Sequence, residues 1–147
     1  MRLEVTRRAE LAVLAVGALA EHGEQDVPRR LKAVELAEML GTTTGFVAQV
    51  VTPLVKAGWV RSVPGPTGGY ALADGLEDLS VLRIIEAVDG PTATGDCVVE
   101  DRPCHPDDSC PLHEAWTAAR EVLLETLDAT SALAWREGAV RTPVPHA

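Results

Sequence analysis

The chain has few aromatic residues and no long apolar run. Only 3% of its 147 residues are aromatic, although 46% are hydrophobic. A core of that composition is built from Leu, Val and Ala, which suits helices better than a β-sandwich. No run approaches the roughly 20 apolar residues of a membrane span, and the acidic Glu4 lies where a signal peptide would need apolar residues. The sequence predicts a cytoplasmic, mainly helical protein with one domain, or one domain and a dimerisation extension.

Cysteine is also scarce. The three cysteines cannot all pair within one chain, because their number is odd. In a cytoplasmic protein, thiols act more often as metal ligands or redox groups than as structural disulfides.

Basic residues are fewer than acidic ones, which gives a formal net charge of −9. The deficit is uneven: residues 1–72 carry 8 Lys/Arg and 7 Asp/Glu, whereas residues 73–147 carry 5 and 15. An N-terminal half that is close to neutral can present a local basic face, so the overall acidity does not exclude nucleic-acid binding there.

The N-terminal half predicts three successive helices. Apolar residues recur at helical spacing over residues 7–21, and two further helices fit residues 32–40 and 45–57. Gly41 ends the second helix, and any of the threonines at positions 42–44 can cap the third. Pro53 lies inside the third helix and could bend or break it.

A glycine-rich hairpin and further helices follow. Residues 59–63 and 70–72 predict two short strands around the turn at 64–69. Ser80 caps a helix through Val88, and a long helix with proline at its first position covers residues 111–127. Ser131 is placed to cap a last short helix through Trp135, and the tail is expected to be disordered. The predicted regions are 1–75 for DNA binding, 76–96 for a linking helix, 97–110 for a cysteine loop, 111–137 for dimerisation and 138–147 for the tail.

Three helices followed by a glycine-rich hairpin form the pattern of a winged helix-turn-helix, whose third helix enters the major groove of DNA. Each piece alone fits an ordinary cap or hairpin, and only their order favours DNA binding. Gln can bond adenine bidentately, and arginine and lysine contact phosphates. The candidate DNA-binding residues are Arg2, Arg7, Arg8, Thr43, Thr44, Phe46, Gln49, Lys56, Arg61, Thr67, Gly68 and Gly69.

The cysteines form the pattern C-x6-C-x5-C-x2-H, which comprises Cys97, Cys104, Cys110 and His113. Thiolates are the usual ligands of iron–sulfur clusters, and imidazole can replace one of them. Three cysteines and a histidine also suit tetrahedral zinc, and a metal-free thiol switch or inert thiols remain open. His113 could equally be an ordinary surface histidine.

Several stretches resemble one family. The start Met1-Arg2-Leu3, the junction Ala57-Gly58-Trp59-Val60-Arg61-Ser62, the wing Gly68-Gly69-Tyr70 and the segment 84–90 (Ile-Ile-Glu-Ala-Val-Asp-Gly) are similar to the Rrf2 family of winged-helix transcriptional regulators, with IscR-, NsrR- and RirA-like members. The resemblance covers residues 1 to about 130. It implies a homodimer joined through the long C-terminal helix and bound to double-stranded DNA at a near-palindromic operator.

The resemblance also implies the cofactor. The cysteine spacing is similar to the family's motif for a [2Fe–2S] or [4Fe–4S] cluster, with one extra residue between the first two cysteines. His113 matches the fourth ligand of IscR-like members. Glu10 matches an acid that other members supply from the partner subunit, although a first-turn carboxylate also has a plain role at a helix dipole. Members without the cysteines exist, so the fold alone does not imply a cluster.

These patterns lead to one expected function. The chain is expected to be a repressor that senses redox state, nitric oxide or iron–sulfur status through the cluster, without a membrane or a small-molecule substrate as partner. It has no phosphate-binding glycine loop after a strand and no nucleophile elbow, so an enzyme is not expected. The alternatives are a zinc-stabilised or thiol-switch regulator with the same fold, and a protein-interaction module that uses the acidic half.

Overall fold

A computed structural model describes residues 4–23, 30–92, 95–99, 102–104 and 110–134. Within them, none of the helices has the length and hydropathy that crossing a membrane requires. The prediction of a mainly helical chain with a small hairpin is confirmed. The elements are α1 (Arg7–Gly23), α2 (Ala33–Leu40), α3 (Thr44–Lys56), β1 (Val60–Val63), β2 (Gly69–Leu72), α4 (Val81–Asp89) and α5 (His113–Asp128).

Helix α1 lies at the centre of the fold. It packs against α2, α3 and β2, and most extensively against α4. The sequence pattern predicted one apolar stripe, but Val13 and Val16 outside that stripe are also buried. Alanine at several α1 positions lets its neighbours approach on more than one side, which explains why burial extends beyond the stripe. Hydrophobic contact with these neighbours is the main source of stability.

Two residues near the turn determine where the second helix ends and the third begins. Gly41 ends α2 in the left-handed conformation at φ 62°, which glycine adopts without steric cost. The Thr43 hydroxyl then accepts a hydrogen bond from the Phe46 N–H at 3.2 Å and caps α3. Helix α3 thus begins at Thr44, and it ends at Lys56, so each end lies one residue before the predicted bounds of 45 and 57.

Pro53 does not break α3, which is continuous across it. Proline removes one backbone hydrogen bond, and its missing partner would be the carbonyl of the exposed residue Gln49. The neighbours Val50, Val51 and Leu54 are at most 1% exposed. Packing of this apolar face on the core therefore outweighs the local cost of proline.

The hairpin is antiparallel, with Val60 opposite Leu72 and Val63 opposite Gly69. Its other edge pairs with Leu31, which exchanges two backbone hydrogen bonds with Tyr70 at 2.9 and 2.7 Å. This bridge fastens the wing to the segment that precedes α2.

Helices α4 and α5 are joined by the segment that contains the cysteines. Ser80 caps α4, as predicted, and its hydroxyl also donates to Asp128 at the end of α5, at 2.7 Å. Helix α5 begins at His113 rather than at Pro111, because Pro111 and Leu112 form a turn.

The predicted cap at Ser131 is wrong. Ser131 pairs with Ser80 in an isolated bridge, and the N–H of Ala132 donates to the carbonyl of Leu79 at 2.8 Å. The N–H of Val81 in turn donates to the carbonyl of Thr130 at 2.9 Å, so this tertiary pairing takes the place of the predicted cap. Trp135 and the expected disordered tail lie outside the described residues.

The Thr43 cap predicts a selective stability effect. Replacing Thr43 with alanine should lower the free energy of unfolding by ~1 kcal/mol, because the Phe46 N–H loses its acceptor. Thr44→Ala is the matched control, since Thr44 is exposed and its side chain caps no helix. Urea unfolding of both variants measures the difference, and equal losses would contradict the assigned cap.

Candidate metal site and nucleic-acid interface

The segment between α4 and α5 brings its ends together through a short backbone bridge. Asp96 pairs with Pro103, and the N–H of Cys97 donates to the carbonyl of Arg102 at 2.9 Å. This pairing places Cys97 and Cys104 near each other although six residues separate them. Cys110 follows at the start of the turn into α5, where its carbonyl accepts from the His113 N–H at 3.0 Å.

The three cysteine sulfurs converge. All three Sγ atoms lie within 4.8 Å of one another, and those of Cys104 and Cys110 are 4.0 Å apart. The thiols are half-buried, and the Val99 N–H donates to the Cys97 sulfur at 3.4 Å. Such an N–H bond is able to stabilise a thiolate, so the backbone suits a deprotonated ligand at Cys97.

The donor set fits a thiophilic metal centre. Among the described residues, this group of three consists of sulfur donors without a carboxylate, which selects for zinc or iron–sulfur centres over hard cations such as magnesium. Two sulfurs on one tetrahedral metal ion with bonds of ~2.3 Å lie about 3.8 Å apart. The 4.0 Å separation of Cys104 and Cys110 would allow them to share one metal ion.

Crowding of the thiols affects their ionisation. Burial raises the pKa of the Cys110 thiol above its ordinary value, and hydrogen bonding to Cys97 and the proximity of Cys104 raise it further, against a lowering by the backbone at Leu112. In the metal-free chain Cys110 is therefore held as a thiol. A bound metal ion would release this proton, because cysteine binds metals as thiolate.

The two candidates for a fourth ligand occupy different places. His113 is exposed at the start of α5 and lines the same cavity of about 250 Å³ as the three cysteines, but the converging group does not include it. Glu10 lies on α1, where it pairs with Arg7 at 2.8 Å. Its role as a cluster ligand supplied from the partner subunit stays a prediction.

On α5, sequence reasoning missed three residues that line this cavity, Trp116, Thr117 and Arg120. They follow His113 by three, four and seven positions, which is the spacing of one helix face. Helical periodicity counted from His113 would have identified them.

The predicted base-contacting residues on α3 divide into two groups. Thr43 and Phe46 have structural roles, since Thr43 caps the helix and the half-buried Phe46 packs on the core. Thr44 and Gln49 are exposed, as is Lys56 at the end of α3, and within the described part of the chain none of these side chains has a hydrogen bond or ion pair. These three are available to a ligand.

Three of the predicted phosphate-binding arginines are engaged within the chain. Arg7 pairs with Glu10 at 2.8 Å and Arg61 pairs with Asp74 at 2.7 Å. Exposed pairs of this kind contribute little stability, so both arginines could exchange to phosphate at small cost. Arg8 differs, because it donates to the backbone carbonyl of Val88 in addition to lying 3.8 Å from the carboxylate of Asp89. Arg2 lies outside the described residues.

The wing glycines have a steric role. A Cβ on Gly68 would lie 2.0 Å from the carbonyl oxygen of Val63, and one on Gly69, at φ 135°, would lie 2.5 Å from that of Leu31. Both positions require glycine for the hairpin to close. Thr67 is exposed beside them.

Comparison with known proteins gives consistent matches. A family model described as Rrf2, iron-dependent transcriptional regulator, matches residues 5–133. An rrf2-like HTH-type transcriptional regulator of Rhodobacter capsulatus is 29% identical over 117 residues, which cover 76% of this chain and 78% of that protein. The HTH-type transcriptional regulator IscR of Photobacterium profundum is 32% identical over 114 residues, which cover 78% of this chain and 64% of that protein.

A solved structure matches as well. The structure titled as CymR, the global cysteine regulator of B. subtilis, superposes with a TM-score of 0.72 over 89% of this chain and 94% of that one, at 22% identity. At that identity the match shows a shared fold.

Proposed function

The chain belongs to the Rrf2 family of DNA-binding transcriptional regulators rather than to an enzyme family, and on that premise we propose that it is a cytoplasmic repressor controlled by an iron–sulfur cluster. The observation that carries the proposal is the convergence of Cys97, Cys104 and Cys110 to within 4.8 Å. The family description as iron-dependent supports iron over other metals. When bound, the cluster would supply chemistry sensitive to oxidants, nitric oxide and iron supply.

The cysteine segment is suited to control the fold. It leaves the end of α4 and enters the start of α5, and α4 packs on the central helix α1. Cysteines tied to one centre would hold these two ends together, and their release would let the end of α4 and the start of α5 move apart. A coupling that changes operator affinity 5–150-fold, or ~1–3 kcal/mol, is typical of such switches.

We propose that α5 joins two copies of the chain. Within the described residues none of its residues is buried, and even the apolar side chains Val122 and Leu123 are 64% and 43% exposed. An apolar face of this kind on a long helix suits a symmetric partner helix. A two-fold dimer would bind a near-palindromic operator with half-sites ~34 Å apart.

Base recognition is expected to depend on Gln49. A duplex selected by the wild-type protein from a random pool should contain an inverted repeat, and Gln49→Ala should weaken binding to it by ~1–3 kcal/mol and relax the preference at one position in each half-site. Lys56→Ala is the control. It should weaken binding uniformly and reduce the slope of log affinity against log salt by about 0.9 per lysine. Fluorescence anisotropy measures both, and unchanged affinity in Gln49→Ala would remove Gln49 from the interface.

Zinc is the second candidate for the cysteine site. The 4.0 Å separation of two sulfurs suits one tetrahedral ion, and zinc, which has no redox chemistry, would make the site structural. Family membership alone does not decide between a cluster and zinc, since the CymR structure is titled as that of a cysteine regulator. Metal analysis of the protein purified without oxygen distinguishes the two.

A further inference from the structure

The end of α4 is fastened to the start of α1 by three side chains. Asp89, the last residue of α4, accepts a hydrogen bond from the Thr6 hydroxyl at 2.7 Å. Arg8 donates to the carbonyl of Val88, and its guanidinium lies 3.8 Å from the other carboxylate oxygen of Asp89. We call this group of Thr6, Arg8 and Asp89 the α1–α4 latch.

Thr6 and Arg8 each satisfy a backbone group at a helix end. The Thr6 hydroxyl that donates to Asp89 also accepts from the Ala9 N–H at 3.1 Å, so it caps the first turn of α1. The Asp89 carboxylate is thereby held at the positive end of the α1 dipole, where negative charge is favoured. Arg8 satisfies one of the last carbonyls of α4, which have no partner inside that helix. The latch therefore connects the two helix ends directly.

The latch lies at the root of the cysteine segment. Only seven residues separate Asp89 from Cys97. Glu86, one turn before Asp89 on α4, accepts from the Thr92 N–H at 3.0 Å and so fastens the first residues of that segment. The residues that hold the start of α1 therefore lie close in sequence to the first cysteine.

Helix α1 in turn contacts the DNA-binding elements. It packs against α2, α3 and β2, and its own residues Ala9, Leu11 and Ala12 are fully buried. Close-packed helices transmit displacement because the interior has little free volume.

We propose that Thr6, Arg8 and Asp89 are positioning residues that couple the state of the cysteine site to the orientation of the winged helix. This inference rests on the proposed function, because it needs a cysteine site whose state changes. It assigns Arg8 to signal transmission, whereas the sequence alone placed Arg8 beside Arg7 as a phosphate contact.

The test compares Arg8→Gln, Asp89→Asn and the control Arg7→Gln. Arg7→Gln makes the same charge change one residue away and breaks the pair with Glu10, but it leaves the contacts of Thr6 and Arg8 with Asp89 in place. The affinity for the duplex selected by the wild-type protein is measured in metal-free protein and in protein reconstituted anaerobically with ferrous iron and sulfide. The quantity of interest is the ratio of the two affinities, which a uniform loss of phosphate contacts or of stability would leave unchanged.

The ratio is expected to be 5–150 in either direction for the wild type, the same in Arg7→Gln, and close to 1 in both latch variants. Arg8→Gln and Asp89→Asn change the net charge in opposite directions, so simple attraction to DNA would move their affinities oppositely. A wild-type ratio away from 1 that both latch variants retain would overturn the latch alone. A wild-type ratio of 1 would overturn the proposed function and the coupling with it.

Hydrogen exchange of the metal-free protein gives a readout without cluster or DNA. Both latch variants should exchange faster than the wild type in two regions together, residues 7–13 and 84–92, whereas Arg7→Gln should not. Thr6→Val and Thr6→Ser provide a second pair if Asp89→Asn does not fold, since serine keeps the hydroxyl and valine removes it. Faster exchange confined to one of the two regions, or equal exchange in valine and serine variants, would contradict the latch.

Discussion

Replacing Cys104 with alanine is expected to leave a folded but colourless protein whose DNA binding no longer responds to nitric oxide or oxidants. Cys104 contributes one of three sulfurs within 4.8 Å of one another, and its sulfur lies 4.0 Å from that of Cys110. Removing a ligand should cost more than the 10–100-fold in metal affinity that is typical for loss of a supporting residue. Anaerobic reconstitution followed by visible spectroscopy and iron analysis measures the loss.

Thr117→Ala is the control for this experiment. Thr117 lines the same cavity on the face of α5 but supplies no thiol, so its replacement should leave the colour and the response unchanged. Circular dichroism verifies that both variants fold. A Cys104→Ala protein that kept its colour and its response to nitric oxide would remove Cys104 from the site.

Gly68→Ala should weaken operator binding by deforming the β1–β2 hairpin. Its Cβ would lie 2.0 Å from the Val63 carbonyl oxygen and 2.8 Å from Pro64 backbone atoms. Because the obstructing atoms are backbone, the β1–β2 hairpin must deform, at a cost of about 1–3 kcal/mol. We expect the affinity for the selected duplex to fall ~5–150-fold, equivalent to about 1–3 kcal/mol.

Gly45→Ala is the matched glycine substitution. It lies in α3, and its Cβ would meet nothing within 4 Å, so the protein should be unchanged or more stable by up to ~1 kcal/mol. Thermal unfolding and anisotropy compare the two variants. Wild-type affinity in Gly68→Ala would show that the wing does not contribute to binding.

Local signals in the sequence predicted most of the element boundaries. Gly41 ends α2, a threonine of the predicted set caps α3, and Ser80 caps α4, because each of these effects depends on residues within one turn of chain. The effect of Pro53 could not be predicted and the cap at Ser131 was predicted wrongly, because residues distant in the sequence determine both. Pro53 is accommodated by the buried face of α3, and Ser131 pairs with Ser80 instead of capping a helix.

The candidate site shows the same division. The spacing of the cysteines identified a group that the structure brings together, because the thiols lie on one short segment. The latch had no local signal, since Thr6 and Asp89 are 83 positions apart in the sequence and meet only through the packing of α1 on α4. The assignment of the fourth ligand to His113 or to Glu10 of a partner subunit stays a prediction.

The central claim is that the three cysteines hold an iron–sulfur cluster. The most direct test is to purify the protein without oxygen, record its visible spectrum and measure iron, sulfide and zinc per chain. We predict a brown protein that contains iron and acid-labile sulfide and loses both in Cys104→Ala. A colourless protein with one zinc per chain would contradict the claim and identify the site as structural.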